Sequence, residues 1–267
     1  MAIKFLKRMK NAYIHYVSRR LRRIRIENRV LRSSDETVTE AARVVNTLIE
    51  MGRVERGTYL EIGVEYGYTF VNVKSDLKYA VDPNLRFNKL LRPRSWRLHE
   101  TNSDEFFSSL EKSVKFDVVF LDGLHTSEQT YRDFCNCLPH LKSKSVVIID
   151  DTVPSDEFSA ISDQELSYQL RLKSGKPGDG SWHGDVFRVI EGINSVRNFP
   201  FNIATISNLN NPKTVIWISP ELSWPINLPD KLTVNSKYSD FFAPGFIHES
   251  FKPMTEQEFY RSINSEH

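Results

Sequence analysis

The chain reads as an α/β protein built on a doubly wound, mostly parallel sheet of seven strands behind a basic helical N-terminal arm. Three observations predict this. Short apolar runs alternate with stretches of helical periodicity, the early runs are continuous rather than alternating, and turn residues and acids gather where the runs end. Continuous apolar runs suit strands covered on both faces. Alternation of strand and helix implies right-handed βαβ crossovers. The strand candidates are Thr58–Ile62, Tyr79–Val81, Trp96–His99, Phe116–Leu121, Val146–Ile149, Phe201–Ile206 and Thr214–Ile218.

Taken in order, residues 1–32 hold eleven Lys/Arg against a single acid, Glu27, a net +10. The whole chain carries +2, so the remaining 235 of its 267 residues carry −8. Such an arm suits peripheral contact with an anionic partner: a membrane surface, a glycan or nucleic acid. It equally suits a solvated helix packed on the body or on a second subunit of a homo-oligomer, because Ile14, Val17, Leu21, Ile24 and Val30 form a partial apolar stripe. Ser33-Ser34-Asp35-Glu36 resembles a helix start, followed by Val38, Ala42, Val45, Leu48 and Ile49 at helical spacing. Residues 33–220 then make the main domain. Within it, 155–184 read as an insertion after the fifth strand, with the glycine-rich loop Ser174 to Ser181; insertions of that length are lids or disordered. Residues 221–267 read as an irregular extension packed on the body. No apolar run approaches the roughly 18 residues that span a bilayer, and no apolar stretch follows the basic start as a cleaved signal would require. Cys135 and Cys137, two apart in a helical stretch, are expected to be free thiols in a reducing cytoplasm.

In a doubly wound sheet the ligand lies beyond the carboxyl ends of the strands. The first strand ends in Glu61-Ile62-Gly63, and Gly67 follows four residues later. Glycines there let the backbone turn tightly and approach a ligand closely. The second strand ends at Asp82, whose carboxylate can accept both hydroxyls of a ribose, or can simply turn the chain before Pro83. The glycine spacing departs from the G-x-G-x-x-G of dinucleotide binders.

Glu61-Ile62-Gly63 through Gly67, with Asp82 closing the next strand, resembles the first two motifs of class I S-adenosylmethionine-dependent methyltransferases, whose fold is Rossmann-like. The resemblance implies that Gly63 and Gly67 line the methionine portion of S-adenosylmethionine, that Glu61 helps hold its amino group, and that Asp82 binds its ribose. It also places Ser103 and Asp104 near the adenine.

Farther along, Asp122 closes the fourth strand while Asp150 and Asp151 close the fifth. Three carboxylates at adjacent strand tips repel one another unless a cation is shared, and hard oxygen ligands suit Mg²⁺ or a similar divalent ion. The plainer account is that Asp122 turns the chain before Gly123 and Asp150 caps the turn after it. Leu121-Asp122-Gly123-Leu124-His125-Thr126-Ser127-Glu128-Gln129 and Asp150-Asp151 are similar to the metal-dependent O-methyltransferases of catechols and of sugars. By that likeness Asp122, Asp150 and Asp151 hold Mg²⁺, and the acceptor is a hydroxyl of a small molecule, sugar or glycan. A hydroxyl attacks only as its proton leaves, which calls for a base. His125, three residues after Asp122 and so one helical turn on, and His183, after the glycine-rich loop, are the candidates. The likeness covers roughly residues 55–195.

The basic arm raises a second reading, a nucleic-acid methyltransferase. Against it, Asp122-Gly123-Leu124-His125 lacks the proline and aromatic of the loop that holds a flipped base. A third reading is a non-catalytic membrane-surface or assembly module on the same fold, which loss of cofactor binding would favour.

Overall fold

A computed structural model describes residues 38–89, 92–175, 180–196, 199–218, 228–232, 234, 236–243 and 245–265. The basic arm of residues 1–32, the expected helix start at 33–36 and part of the glycine-rich loop lie outside the described residues.

The described residues begin with α1 (Glu40–Glu50), capped by the Thr39 hydroxyl, which accepts the Ala42 N–H at 3.1 Å. Then follow β1 (Thr58–Ile62), α2 (Tyr68–Asn72), β2 (Leu77–Val81), β3 (Trp96–His99), α3 (Ser103–Ser109), β4 (Phe116–Leu121), α4 (Ser127–Cys137) and β5 (Leu141–Ile149). The second half holds α5 (Gln164–Ser174), α6 (Phe187–Ser195), β6 (Phe201–Ile206), β7 (Lys213–Ile218), α7 (Tyr238–Phe241), β8 (Pro253–Met254) and α8 (Glu256–Ser265).

These strands form one sheet in the order β3-β2-β1-β4-β5-β7-β6-β8. The first five are mutually parallel, β7 runs antiparallel to both β5 and β6, and β8 adds to β6 in parallel. The seven expected strands are present, and the eighth is a two-residue strand from the tail. Alternate residues feed opposite layers. Leu60 and Ile62 pack toward Phe134, Val189 and Ile190, while Tyr59 packs toward Leu48 and Phe70. Every residue of β4 is buried, as the apolar run Val118–Leu121 predicts, and Asp117 is buried because it accepts Thr58 N and pairs with Lys142.

The register decides where the site lies. Ile62 pairs with both Val81 and Leu121, and Leu121 pairs with Ile149, so four strands end level. The ladder continues one residue further: Gly63 N donates to Val81 O (2.9 Å), Asp122 N to Ile62 O (2.9 Å) and Asp150 N to Leu121 O (3.0 Å). Gly63, Asp82, Asp122 and Asp150 therefore share one rim.

Two expectations need correction. The 155–184 insertion is not a bare loop, because Asp163 caps the eleven-residue α5, and the buried Arg171 of that helix pairs with Asp156. The tail is not irregular either. Phe259 and Ile263, four residues apart, make α8 amphipathic and bury its apolar face on the sheet, where Phe259 meets Trp217. Cys135 and Cys137 are free thiols. Among the described residues no helix is long and apolar enough to cross a membrane.

Candidate active site

The level strand ends open onto a cleft of about 770 Å³. Its first half is built by the turn after β1. Gly63 sits at φ 86°, and a Cβ there would lie 1.8 Å from the Asp122 carbonyl oxygen, so only glycine lets the β1 and β4 loops pass so closely. Gly67, at φ 74°, starts α2. Glu61 points from β1 into the cleft lining and is only 2% exposed. Its Oε2 accepts the Tyr59 hydroxyl at 2.6 Å. Burial raises its pKa to about 8, against the opposing pull of the Tyr59 hydrogen bond and the Lys78 charge. A carboxyl so placed favours a cation as partner. Asp82 braces the same loops, its Oδ2 accepting Glu65 N (2.9 Å) and its Oδ1 accepting Asn84 N (2.6 Å).

The second half is the acid rim. Asp122 is a third exposed, at 32%, and desolvation together with the Asp150 charge raises its pKa to about 7. His125 lies between two acids, with Nε2 3.5 Å from Asp122 Oδ1 and Nδ1 3.0 Å from Asp151 Oδ2. Burial would lower the pKa of this imidazole, but its hydrogen bond to Asp122 and the charges of Asp151 and Asp122 win, and it rises to about 9. Asp151 takes a left-handed φ of 57°, a strained conformation for this residue type. Asp150 is paired elsewhere: its Oδ1 accepts Lys213 Nζ at 2.6 Å and Asn211 Nδ2 at 2.9 Å. Lys213 is 3% exposed, and the Asp150 charge outweighs burial to hold it protonated.

The end of the 155–184 insertion is welded to this rim. Trp182 stacks on His125 at 4.8 Å between centroids, and Asp185 accepts both Ser127 N and Ser127 Oγ at the start of α4. Gly184, at φ 63°, leaves no room for a Cβ, which would fall 1.6 Å from the His125 carbonyl oxygen.

Residues 60–152 match the family model described as a methyltransferase domain. That span runs from β1 to just past β5 and contains both halves of the rim. By that match, this part of the chain is similar to a methyltransferase domain. The chain's fold is shared with cofactor-bound Rv0187 from MTB, at TM-score 0.51 and 10% identity over 74% of this chain and 88% of that one. Other similar structures are an O-methyltransferase from Bacillus cereus in complex with SAH (TM-score 0.45, 13% identity, 74% and 89% covered). The O-methyltransferase TomG from Streptomyces achromogenes, in complex with SAM, is another (0.44, 13%, 70% and 91%). No curated protein matches the sequence.

Glu61, Gly63, Asp82, Ser103, Asp122, His125, Asp150 and Asp151 all line the same cleft. Asp104 does not line it; its Oδ1 accepts Arg132 Nε at 3.0 Å on α4. His183 is also absent from the lining, standing behind Asp151 at 3.6 Å. His125 lies in the loop before α4 rather than a helical turn beyond Asp122, because the helix begins only at Ser127. Sequence reasoning missed Asp133, Gln129 and Asn211. Asp133 and Gln129 sit four apart on α4 and bond to each other at 2.9 Å, a spacing visible in the sequence. Asn211 gave no signal, since it arrives from the β6–β7 hairpin.

Proposed function

We propose that the chain transfers the methyl group of S-adenosylmethionine to a hydroxyl of a small molecule, sugar or glycan, beside a bound divalent cation. The observation that carries this reading is one continuous cleft with a cofactor half at Glu61, Gly63 and Asp82 and an acid half at Asp122, Asp150 and Asp151. In the first half, Glu61 meets the cofactor's ammonium, the loop around Gly63 and Gly67 closes on its methionine portion, and Asp82 meets the ribose. Ser103 lies on the adenine side. Binding so arranged leaves the sulfonium facing the acid rim, where positioning in line does most of the work.

The residues present fit a cation. Ligand atoms of Asp122, His125 and Asp151 lie within 4.8 Å of one another. Asn211 adds an amide oxygen that is buried without a hydrogen-bond partner among the described residues. A divalent cation such as Mg²⁺ would supply Lewis acidity, lowering the pKa of a hydroxyl bound to it. The two expected bases are differently placed in the cation-free chain. His125, at about 9, already carries its proton at neutral pH, and His183 does not line the cleft. The sugar or glycan acceptor follows from the sequence resemblance.

The test is a calorimetric titration with S-adenosylhomocysteine, comparing wild type with Asp82→Ala, followed by acceptor screening with and without chelator. Micromolar binding that weakens ten- to a hundredfold in the variant supports the reading. Well-folded wild type that does not bind at all sinks it, and favours the non-catalytic module.

A further inference from the structure

Lysine is among the residues least often fully buried, because its ammonium must leave water. Lys78, the second residue of β2, is only 4% exposed. All three donors of its ammonium are used. Nζ donates to the carbonyl oxygens of Phe70 (2.6 Å), Val71 (3.2 Å) and Val73 (3.0 Å). The ammonium also lies over two rings, 4.9 Å from the centroid of Phe70 and 4.8 Å from that of Trp96. Burial lowers its pKa to about 8 against the pull of the Glu61 charge, so it stays charged at neutral pH.

Those three carbonyls belong to one end of α2, a helix of five residues. A helix so short is marginal by its own hydrogen bonds, and its position depends on what holds its ends. The other end faces the cleft: Tyr66, Tyr68 and Thr69 line the cofactor half, and Gly67 turns the chain into the helix at φ 74°. At the carbonyl end the side-chain amides are neutral, Asn46 Nδ2 donating to Asn72 O at 3.0 Å and Asn72 Nδ2 to Tyr68 O at 2.8 Å. Lys78 brings the full charge, which also suits the negative end of the helix dipole. A methionine would fill the space between Phe70 and Trp96 without losing hydration. What the lysine adds is three directed bonds to one helix end. Its charge reaches Glu61 as well. Burial raises the pKa of that carboxyl, and Lys78 opposes the rise, favouring the carboxylate.

Resting on the S-adenosylmethionine reading above, we infer that Lys78 is a positioning residue for the amino-acid portion of the cofactor, although it does not line the cleft. It ties α2 to β2, sets the loop from Gly63 to Thr69 on which that portion rests, and keeps Glu61 disposed to meet its ammonium. The adenosine portion rests instead on Asp82 and Ser103, at the end of β2 and the start of α3.

The experiment uses the full chain and measures Kd for two ligands. One is S-adenosylhomocysteine; the other is 5′-methylthioadenosine, which keeps the adenosine and the sulfur but lacks the amino acid. Lys78→Met keeps the side-chain length and removes the donors. It should weaken S-adenosylhomocysteine about ten- to a hundredfold, the worth of a charged hydrogen bond, and 5′-methylthioadenosine by less than about threefold. Asp82→Ala, at the ribose, should weaken both alike. Ile263→Ala, a core change in α8 outside the cleft lining, should leave both unchanged and so separates positioning from a general loss of stability. Circular dichroism verifies that each variant is folded. Should Lys78→Met fail to fold, Asn46→Ala removes the neighbouring bond to Asn72 O and carries the same comparison, with a smaller preference in the same direction. Equal losses for the two ligands, or no loss, in the folded variant overturn the inference and leave the cofactor reading intact. Folded wild type that does not bind S-adenosylhomocysteine sinks that reading, and the inference with it.

Discussion

Replacing Glu61 by Gln leaves the shape of the β1 end unchanged and removes one buried titratable group. In the cofactor-free protein Glu61 ionises at about 8 rather than at 4.5, because burial penalises its carboxylate. A raised pKa means that the folded state holds the proton more tightly than the unfolded state. The contribution is therefore fully present below 4.5 and is lost as pH rises through about 8. At about 1.4 kcal/mol for each pH unit, the full span is about 5 kcal/mol. Between pH 6 and 9, where the rest of the fold is least disturbed, the wild type should lose about 3 kcal/mol to this group. Urea unfolding of both proteins across that range isolates the effect: the wild-type minus Glu61→Gln difference should change by about 3 kcal/mol, with Gln the more stable at pH 9. The same variant should bind S-adenosylhomocysteine ten- to a hundredfold more weakly, since a charged hydrogen bond is worth about 1.5–3 kcal/mol. Because Glu61 is protonated below about 8, cofactor binding at pH 7 should also release a proton, visible as a buffer-dependent heat in the wild type only. Parallel stability curves, differing by less than about 0.5 kcal/mol across the range, would refute the claim that Glu61 is a buried, cation-seeking carboxyl.

Two further predictions concern the rim. Lys213→Met strands the Asp150 carboxylate beside Asp151 and should cost about 3–5 kcal/mol in denaturant unfolding, as breaking a buried pair does; adding Asp150→Asn should recover much of it, and failure to recover would show that the pair is not the source. Gly184→Ala places a Cβ 1.6 Å from the His125 carbonyl oxygen at a left-handed φ. It should lose about 3 kcal/mol, or detach residues 155–184. Protease nicking confined to that segment would report detachment, and unchanged stability with unchanged nicking would contradict the packing described.

How much of this was legible in the sequence depended on range. The strands came through because burial on both faces leaves continuous apolar runs such as Val118–Leu121, and β2, β5 and β7 differed only at their starts, where the added residues Leu77–Lys78, Leu141–Ser145 and Lys213 break the apolar pattern. The tail's helix was missed although Phe259 and Ile263 carried its periodicity, because prolines and isolated aromatics around it masked a short pattern. Local order alone fixed which acids end which strands, and from that the shared rim.

What the sequence determined by itself is therefore the element order and the residues at the strand ends, since each follows from period and adjacency along the chain, while the cofactor class is what the resemblance of those strand ends implies. Only the tertiary structure decided the electrostatics of the rim. Lys213 and Asn211 reach Asp150 from 61 to 63 residues away, and His183 reaches Asp151 through an insertion whose path no local pattern encodes. The consequence is that three acids equal in the sequence become unequal in the fold: one is cancelled by a lysine, and two are left facing imidazoles. Coulomb interactions depend on separation in space, and a folded chain sets that separation independently of distance along the sequence.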